Sequence, residues 1–309
     1  MTAASERAAS ALAMTLRILA AVASLMWLIG QERPVFRSAT HTVYVYATVQ
    51  GGDGRLVTDL TRDDFRIFDN DRAQTVTVFE NRPQPITMAA MFDMSGSMMP
   101  SHERLRDASR AFIDALWPDD RVRIGSFGKE IALSPLLTND KRVLRRIVDE
   151  ELWPDGGPTP LWLALIAAMN ALPADGRRRV VLALTDGQDT GMSRAPTAMP
   201  SVSAGDVHAR AEREAFMIYA IGLQGTGLDG GMSGLAEDTG GGHVQVGKHD
   251  DLGRTFVQVV EELHHHYVIG FSPSVLDGRT HTLDVRTRIG GQHVRARKRY
   301  IASEAGVAR

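Results

Sequence analysis

A short apolar run that ends abruptly in oxygen-bearing side chains limits what this chain can fold into more than any other stretch. Ile86 to Phe92 reads Ile-Thr-Met-Ala-Ala-Met-Phe, with Pro83 and Pro85 before it and Asp93-Met-Ser95-Gly-Ser97 after it. A run so bounded reads as a strand buried on both faces, which is the habit of strands in parallel sheets. The chain leaving such a strand emerges at the carboxyl edge of the sheet, where open α/β folds bind ligands. Gly96 lets the backbone turn sharply there, so the hydroxyls of Ser95 and Ser97 can point at one spot.

Beyond residue 100 the chain alternates between helical and strand patterns. Leu105, Ala108, Phe112, Ala115 and Leu116 recur at helical spacing and stop at Pro118. Val122 to Phe127 is an apolar strand, Ile131 to Leu137 its hairpin partner, and Lys141 to Val148 an amphipathic helix. The loop Trp153-Pro-Asp-Gly-Gly-Pro-Thr159-Pro160 opens an apolar helix from Leu161 to Leu172, with Pro160 suited to a first helical turn. Arg178 to Leu184 is the next buried strand, and it runs into Thr185-Asp186-Gly-Gln-Asp189. Phe216 to Leu223 is another strand, followed by a Gly-rich loop, a short helix at Ser233 to Glu237, a strand at Val244 to Val246 and a helix from Asp250 to Leu263. This alternation predicts an α/β fold: a doubly wound, mainly parallel sheet with helices on both faces.

The flanks read differently. Val43, Val45, Ala47 and Val49 alternate with Tyr44, Tyr46 and Thr48, a half-buried strand that stops at Gly51-Gly52-Asp53-Gly54. Phe65 to Phe68 and Thr75 to Phe79 continue the β pattern around Asp69-Asn70-Asp71, which reads as a solvated turn because no acidic residue follows at calcium-loop spacing. After residue 266 the β pattern returns, with Tyr267 to Phe271, Thr280 to Arg288 and His293 to Tyr300. The expected organisation is a leader or anchor over 1–30, β segments at 36–82 and 266–303 that pair into a smaller antiparallel accessory domain, and the α/β domain over 86–263. The alternating charges from Arg286 to Arg299 read as a solvated sheet face.

Residues 1–17 are small and polar with Arg7 and Arg17, and Ile18 to Gly30 is uncharged. That order is signal-peptide anatomy, too short for an ordinary membrane span. Leu28 and Gly30 make a poor cleavage end, and without cleavage the segment becomes a short anchor, the only link to a membrane expected here. Either outcome places the protein outside the cytoplasmic membrane: exported to the periplasm or cell envelope, or secreted. With 37 acidic against 35 basic residues there is no surplus of cations for a nucleic-acid partner, and the lack of cysteine excludes disulfides, thiolate metal sites and cysteine nucleophiles.

In a parallel sheet the loops after residue 92, before residue 161 and after residue 184 share one edge. They bring Asp93, Ser95, Ser97, Thr159 and Asp186 together. Five oxygen donors with neither His nor Cys select a hard cation, Mg²⁺ first, with Mn²⁺ or Ca²⁺ as alternatives. Three neutral hydroxyls compensate little of the metal charge, so the site stays electrophilic toward a carboxylate. The Asp-x-Ser-x-Ser stretch, the downstream Thr159 and the Thr-Asp-Gly stretch resemble the metal-ion-dependent adhesion site of von Willebrand factor type A domains. The resemblance covers about Ile86 to Leu263. The flanking Val-Tyr-Val-Tyr, Asp63-Asp64-Phe-Arg-Ile-Phe and Tyr267-Val-Ile-Gly-Phe-Ser-Pro stretches resemble bacterial exported proteins with related domains. It implies a non-enzymatic, protein-binding function, with Asp93, Ser95, Ser97, Thr159 and Asp186 as metal ligands and a partner that presents Asp or Glu.

Other chemistry competes for some residues. Gly225-Thr-Gly227-Leu-Asp-Gly230 follows a strand, with Asp250 downstream, which is formally a dinucleotide fingerprint and would make the chain an NAD-dependent oxidoreductase. Its late strand and short Gly-interrupted helix weigh against it. A purely structural metal is a third reading. His264-His265-His266 cannot all face one side, so they read as a helix end where His⁺ is favourable. Met94, Met98 and Met99 read as packing rather than a contact rim. No stretch supplies a nucleophile elbow.

Overall fold

Burial on both faces puts residues 87–93 in the middle of a six-stranded sheet. The computed structural model describes residues 41–186, 189–191, 202–223 and 227–303, so the leader or anchor read over 1–30 lies outside the described residues. The first segment supplies β1 (Val43–Gln50), β2 (Phe65–Asp69), β3 (Arg72–Gln74) and β4 (Val78–Glu80). The alternating stretch gives β5 (Thr87–Asp93), α1 (His102–Ala115), β6 (Arg121–Phe127), β7 (Ile131–Leu133), α2 (Lys141–Glu150) and α3 (Leu161–Asn170). It continues with β8 (Arg179–Thr185), α4 (Ala204–Glu214), β9 (Phe216–Leu223), α5 (Gly230–Asp238), β10 (His243–Val246) and α6 (Leu252–His264). The tail contributes β11 (Tyr267–Phe271), β12 (Thr280–Thr287), β13 (His293–Ala296) and β14 (Arg299–Ile301).

The central sheet runs β10-β9-β8-β5-β6-β7, parallel throughout except for the β6–β7 hairpin. Chain order proceeds outward from β5 through β6 and β7 and then restarts with β8 on the opposite side. The boundary between β5 and β8 is therefore the topological switch point, where loops diverge to opposite faces and leave a crevice. Alternation along β5 feeds two cores. Met88, Ala90 and Phe92 join α1, α2 and α6 on one face, while Ala89 and Met91 join α3, α4 and α5 on the other. Asp140 caps α2 by accepting from Arg142 N and Val143 N, and Asp251 caps α6 by accepting from Arg254 N.

The flanks pair as expected but build two antiparallel sheets, β13-β1-β11-β4 and β14-β12-β2-β3, each mixing strands from both ends of the chain. Together the sheets enclose one apolar cluster that includes Val43, Val45, Phe65, Ile67, Tyr267, Ile269 and Tyr300. Burying such a side chain contributes roughly 1.5–3 kcal/mol, so a one-residue slip of β1, which would turn its valine row outward, is strongly disfavoured. Residues 293–300, expected as one strand, divide between the two sheets as β13 and β14.

Two surface readings need correction. Asp69 is buried, not solvated: it accepts from Tyr300 Oη at 3.0 Å and lies 2.8 Å from His281 Nδ1. Only Asn70 and Asp71, both at positive φ, form the turn proper. Nor is the charge run from Arg286 to Arg299 a solvated face throughout. Arg295 pairs with buried Glu262 of α6, and Arg297 donates to Tyr44 O, because this part of the tail lies in the seam against the α/β core.

Candidate metal centre

Asp93 ends β5, and its neighbour across the switch point is the end of β8. Phe92 pairs with Leu184, so Thr185 and Asp186 leave the sheet beside Asp93 and Met94. Asp93 is fully buried, accepting from Ser95 N at 2.9 Å through Oδ1 and from Thr185 Oγ1 at 2.6 Å through Oδ2. Ser95 Oγ lies 3.1 Å from Ser97 Oγ, which in turn donates to Asp186 Oδ1 at 2.8 Å. Four of the five expected residues thus form one linked cluster that opens to solvent at exposed Ser97.

Thr159 arrives on the loop before α3. Gly96 N donates to Gly157 O at 3.2 Å, and residues 95 and 157 bridge in parallel, so this loop is laced to the Ser95–Ser97 turn. A Cβ at Gly157 would collide with Lys129 N, which explains the glycine. Thr159 itself is clamped through its backbone: its N donates to Thr190 Oγ1 at 2.8 Å and its O accepts from Thr190 N at 3.0 Å. No protein group among the described residues bonds the Thr159 hydroxyl, which remains available. Asp189 accepts from Trp162 N at 3.3 Å and ties the same segment to the start of α3. Thr185, Asp189 and Thr190 were not singled out in the sequence, although they adjoin Asp186 and have the side chains to do this work.

Burial pushes the carboxyl group of Asp93 above its ordinary value; bonds from Ser95 and Thr185 offset this in part, and the nearby Asp186 charge adds to it. Asp186 is raised as well, again chiefly by burial. Neither carboxylate has a cationic side chain as ion-pair partner among the described residues. Nor do the described residues include three or more His, Cys, Asp or Glu grouped to hold a metal. A cation here would rest on two carboxylates and three hydroxyls, a donor set that fits a hard, partly hydrated ion such as Mg²⁺.

Around this edge Met94 and Met98 are packed into the core, as read from the sequence, but Met99 stands 60% exposed and Trp153 53% exposed. The histidine run divides in three directions: His264 onto Asp120 at 2.9 Å, His265 onto Glu261 O at 2.8 Å and His266 onto Leu263 O at 3.0 Å. Burial, with Arg178 alongside, holds His266 well below the ordinary imidazole value, so it is neutral and not the expected helix-end cation. Gly225 of the dinucleotide pattern lies outside the described residues. The helix that would meet a pyrophosphate, α5, is capped by Asp229, which accepts from Gly231 N at 2.7 Å and places negative charge where a phosphate would sit.

A doubly wound α/β sheet with hydroxyls and carboxylates clustered at its switch point defines the class of protein. Residues 88–188 match the family model of the von Willebrand factor type A domain. Among solved structures it is similar to BatB from Bacteroides thetaiotaomicron, at 16% identity over 58% of this chain and 98% of that one, with a TM-score of 0.46. It is also similar to a von Willebrand factor type A protein from Catenulispora acidiphila, at 13% identity over 86% of this chain and 75% of that one, with a TM-score of 0.45. The vWF domain of the type V pili tip protein Mfa5 from Porphyromonas gingivalis is 11% identical over 58% of this chain and 95% of that one, with a TM-score of 0.46. No curated protein matches the chain.

Proposed function

We propose that the chain is an exported binding protein whose site, Asp93, Ser95, Ser97, Thr159 and Asp186, holds a Mg²⁺-type cation and through it grips an Asp or Glu side chain of a protein partner. The observation that carries this reading is the linked Asp93–Ser95–Ser97–Asp186 cluster at the switch point, holding two carboxylates without a counter-charge among the described residues. The match of residues 88–188 to the von Willebrand factor type A domain, usually a non-catalytic binding module, supports it. Export rests on the leader-like order of residues 1–30.

With neutral hydroxyls for three of five donors, the cation keeps most of its charge, and exposed Ser97 leaves a path for an external carboxylate. Thr185 orients Asp93, and Thr190 fixes the backbone from which Thr159 reaches the site. Isothermal titration with MgCl₂ is expected to show saturable binding that Asp93→Ala abolishes; unchanged binding in that variant would sink the assignment. Partner capture from the native envelope separates the adhesive role from a purely structural metal. Capture that ignores both chelation and Ser97→Ala would leave only the structural role.

A further inference from the structure

At the opposite edge of the sheet, the amino ends of β8 and β9 face the accessory sheet across a crevice of about 960 Å³. Its lining includes Tyr46, Arg178, Phe216, Val268 and Arg297. Arg178 lies over the Tyr46 ring, 5.1 Å from its centroid, and is 8% exposed. Its Nη atoms are engaged with His266 and Leu263 O. Arg297 spends one Nη atom on Tyr44 O at 2.8 Å. Among the described residues its second Nη and the Tyr46 hydroxyl have no hydrogen-bond partner and are not sealed from solvent.

Charge sharpens the picture. Neither Arg178 nor Arg297 has a carboxylate within ion-pair distance among the described residues, and the acids that share the crevice are already engaged. Glu212 and Asp238 pair with Arg299 at 2.6 and 3.3 Å, and Glu214 pairs with Arg210 at 3.0 Å. Glu80 sits exposed at the rim. Two guanidinium groups are therefore held in a seam with no ion-pair partner among the described residues, Asp120 and Glu262 acting on Arg178 only from a distance, and burial pushes each down to about 10. A cation in that position costs stability unless an anion joins it.

We infer that this crevice is a second binding site, independent of the cation site, that takes a tetrahedral oxyanion of the phosphate class between Arg178, Arg297 and the Tyr46 hydroxyl. Two cations match the charge of a phosphate dianion. A free guanidinium N–H and a phenol O–H on residues that line the space suit its several acceptor oxygens better than a single carboxylate. The site straddles the α/β core and the accessory sheets, so occupancy would bind the two together.

The test is isothermal titration of the full chain with inorganic phosphate, in chelator and at constant ionic strength. The expected result is saturable binding that Arg297→Gln weakens by about tenfold or more and Tyr46→Phe by a few fold, as expected for lost charge-assisted and neutral hydrogen bonds. Tyr46→Phe keeps the ring under Arg178, so it decides the matter if Arg297→Gln fails to fold. Asp93→Ala is expected to leave phosphate binding unchanged, which separates this site from the cation site. Absence of saturable heat, wild-type binding in Tyr46→Phe, equally tight binding of acetate, or loss of phosphate binding in Asp93→Ala would each overturn the proposal.

Discussion

The two edges of the central sheet treat charge in opposite ways. At the amino edge most buried ionic groups have found protein partners: Glu262 takes Arg295 and the Tyr219 hydroxyl, and Asp120 takes His264 together with Ile86 N and Trp117 N. At the carboxyl edge Asp93 and Asp186 find hydroxyls and backbone but, among the described residues, no cation. In the first arrangement the Arg295–Glu262 pair ties an accessory strand to the α/β core. The second leaves negative charge to be answered from outside. Buried polar groups alone do not mark a site; buried charge without a protein answer does.

The largest expected effect lies at the satisfied Glu262–Arg295 pair of the amino edge. Glu262→Ala strands the Arg295 guanidinium in a seam where its side chain is 16% exposed, and breaking a buried pair from one side costs about 3–5 kcal/mol. Urea unfolding followed by circular dichroism measures it. Replacing both Glu262 and Arg295 by Met is expected to recover most of that loss, since the cost belongs to the orphaned charge. A double variant as unstable as the single one would show that the two edges do not differ in how they answer charge.

Next in size is the opposite behaviour at Asp93. Its folded-state carboxyl is raised by burial, so the favourable contribution is fully present below the ordinary carboxylate range and is lost as pH rises through the raised folded value. In chelator, Asp93→Asn is therefore expected to be more stable than the parent near neutral pH, by about 1–3 kcal/mol, and to lose the advantage in acid. Thermal melts across pH check this. Excess Mg²⁺ should reverse the ranking, because only the parent binds it and gains stability by mass action. A parent that outlasts Asp93→Asn in chelator at neutral pH would break the comparison.

Why the sequence led to one edge and not the other comes down to how each is built. The carboxyl-edge residues sit at strand and helix ends, whose positions follow from hydrophobic periodicity; Asp93, Ser95, Ser97 and Asp186 come together from the sheet order alone. The amino-edge pairs join residues far apart in the chain across a seam, as with Glu262 and Arg295, and alternating arginines in a strand carry no mark of which face is covered. Helix α4 was missed because its apolar positions are few, Val207 and Ala211 being its buried residues. Its signal was the start: Ser203 and Asp206 form a capping box, Ser203 accepting from Asp206 N and Asp206 from Ser203 N. The Thr190 clamp on Thr159 is a pairing of two loops, and loop pairings leave no periodic trace.

Thr190→Val removes a hydroxyl acceptor but keeps the shape, leaving Thr159 N without its bond. The expected cost to stability is about 1 kcal/mol in thermal or urea unfolding. Mg²⁺ affinity should fall a few fold as the Thr159 loop gains freedom, by the general sensitivity of metal sites to their supporting bonds. Unchanged affinity would mean that the lacing through Gly157 suffices to place that loop.

Ser97→Ala carries the smallest stability effect and the cleanest reading of the carboxyl edge. Ser97 is exposed, and its links are to Ser95 Oγ and Asp186 Oδ1. Removing one exposed hydroxyl should move unfolding by no more than about 0.5 kcal/mol. If those oxygens only bonded one another, the substitution would end there. If they converge on a cation, the same substitution removes a donor and Mg²⁺ affinity falls by about tenfold, the scale of loss when a metal site is weakened at one position. Titration and melting of the same preparation therefore separate the two cases. A neutral melt with weakened Mg²⁺ binding assigns Ser97 to the cation, whereas neutrality in both measurements makes the carboxyl edge as self-contained as the Glu262–Arg295 pair.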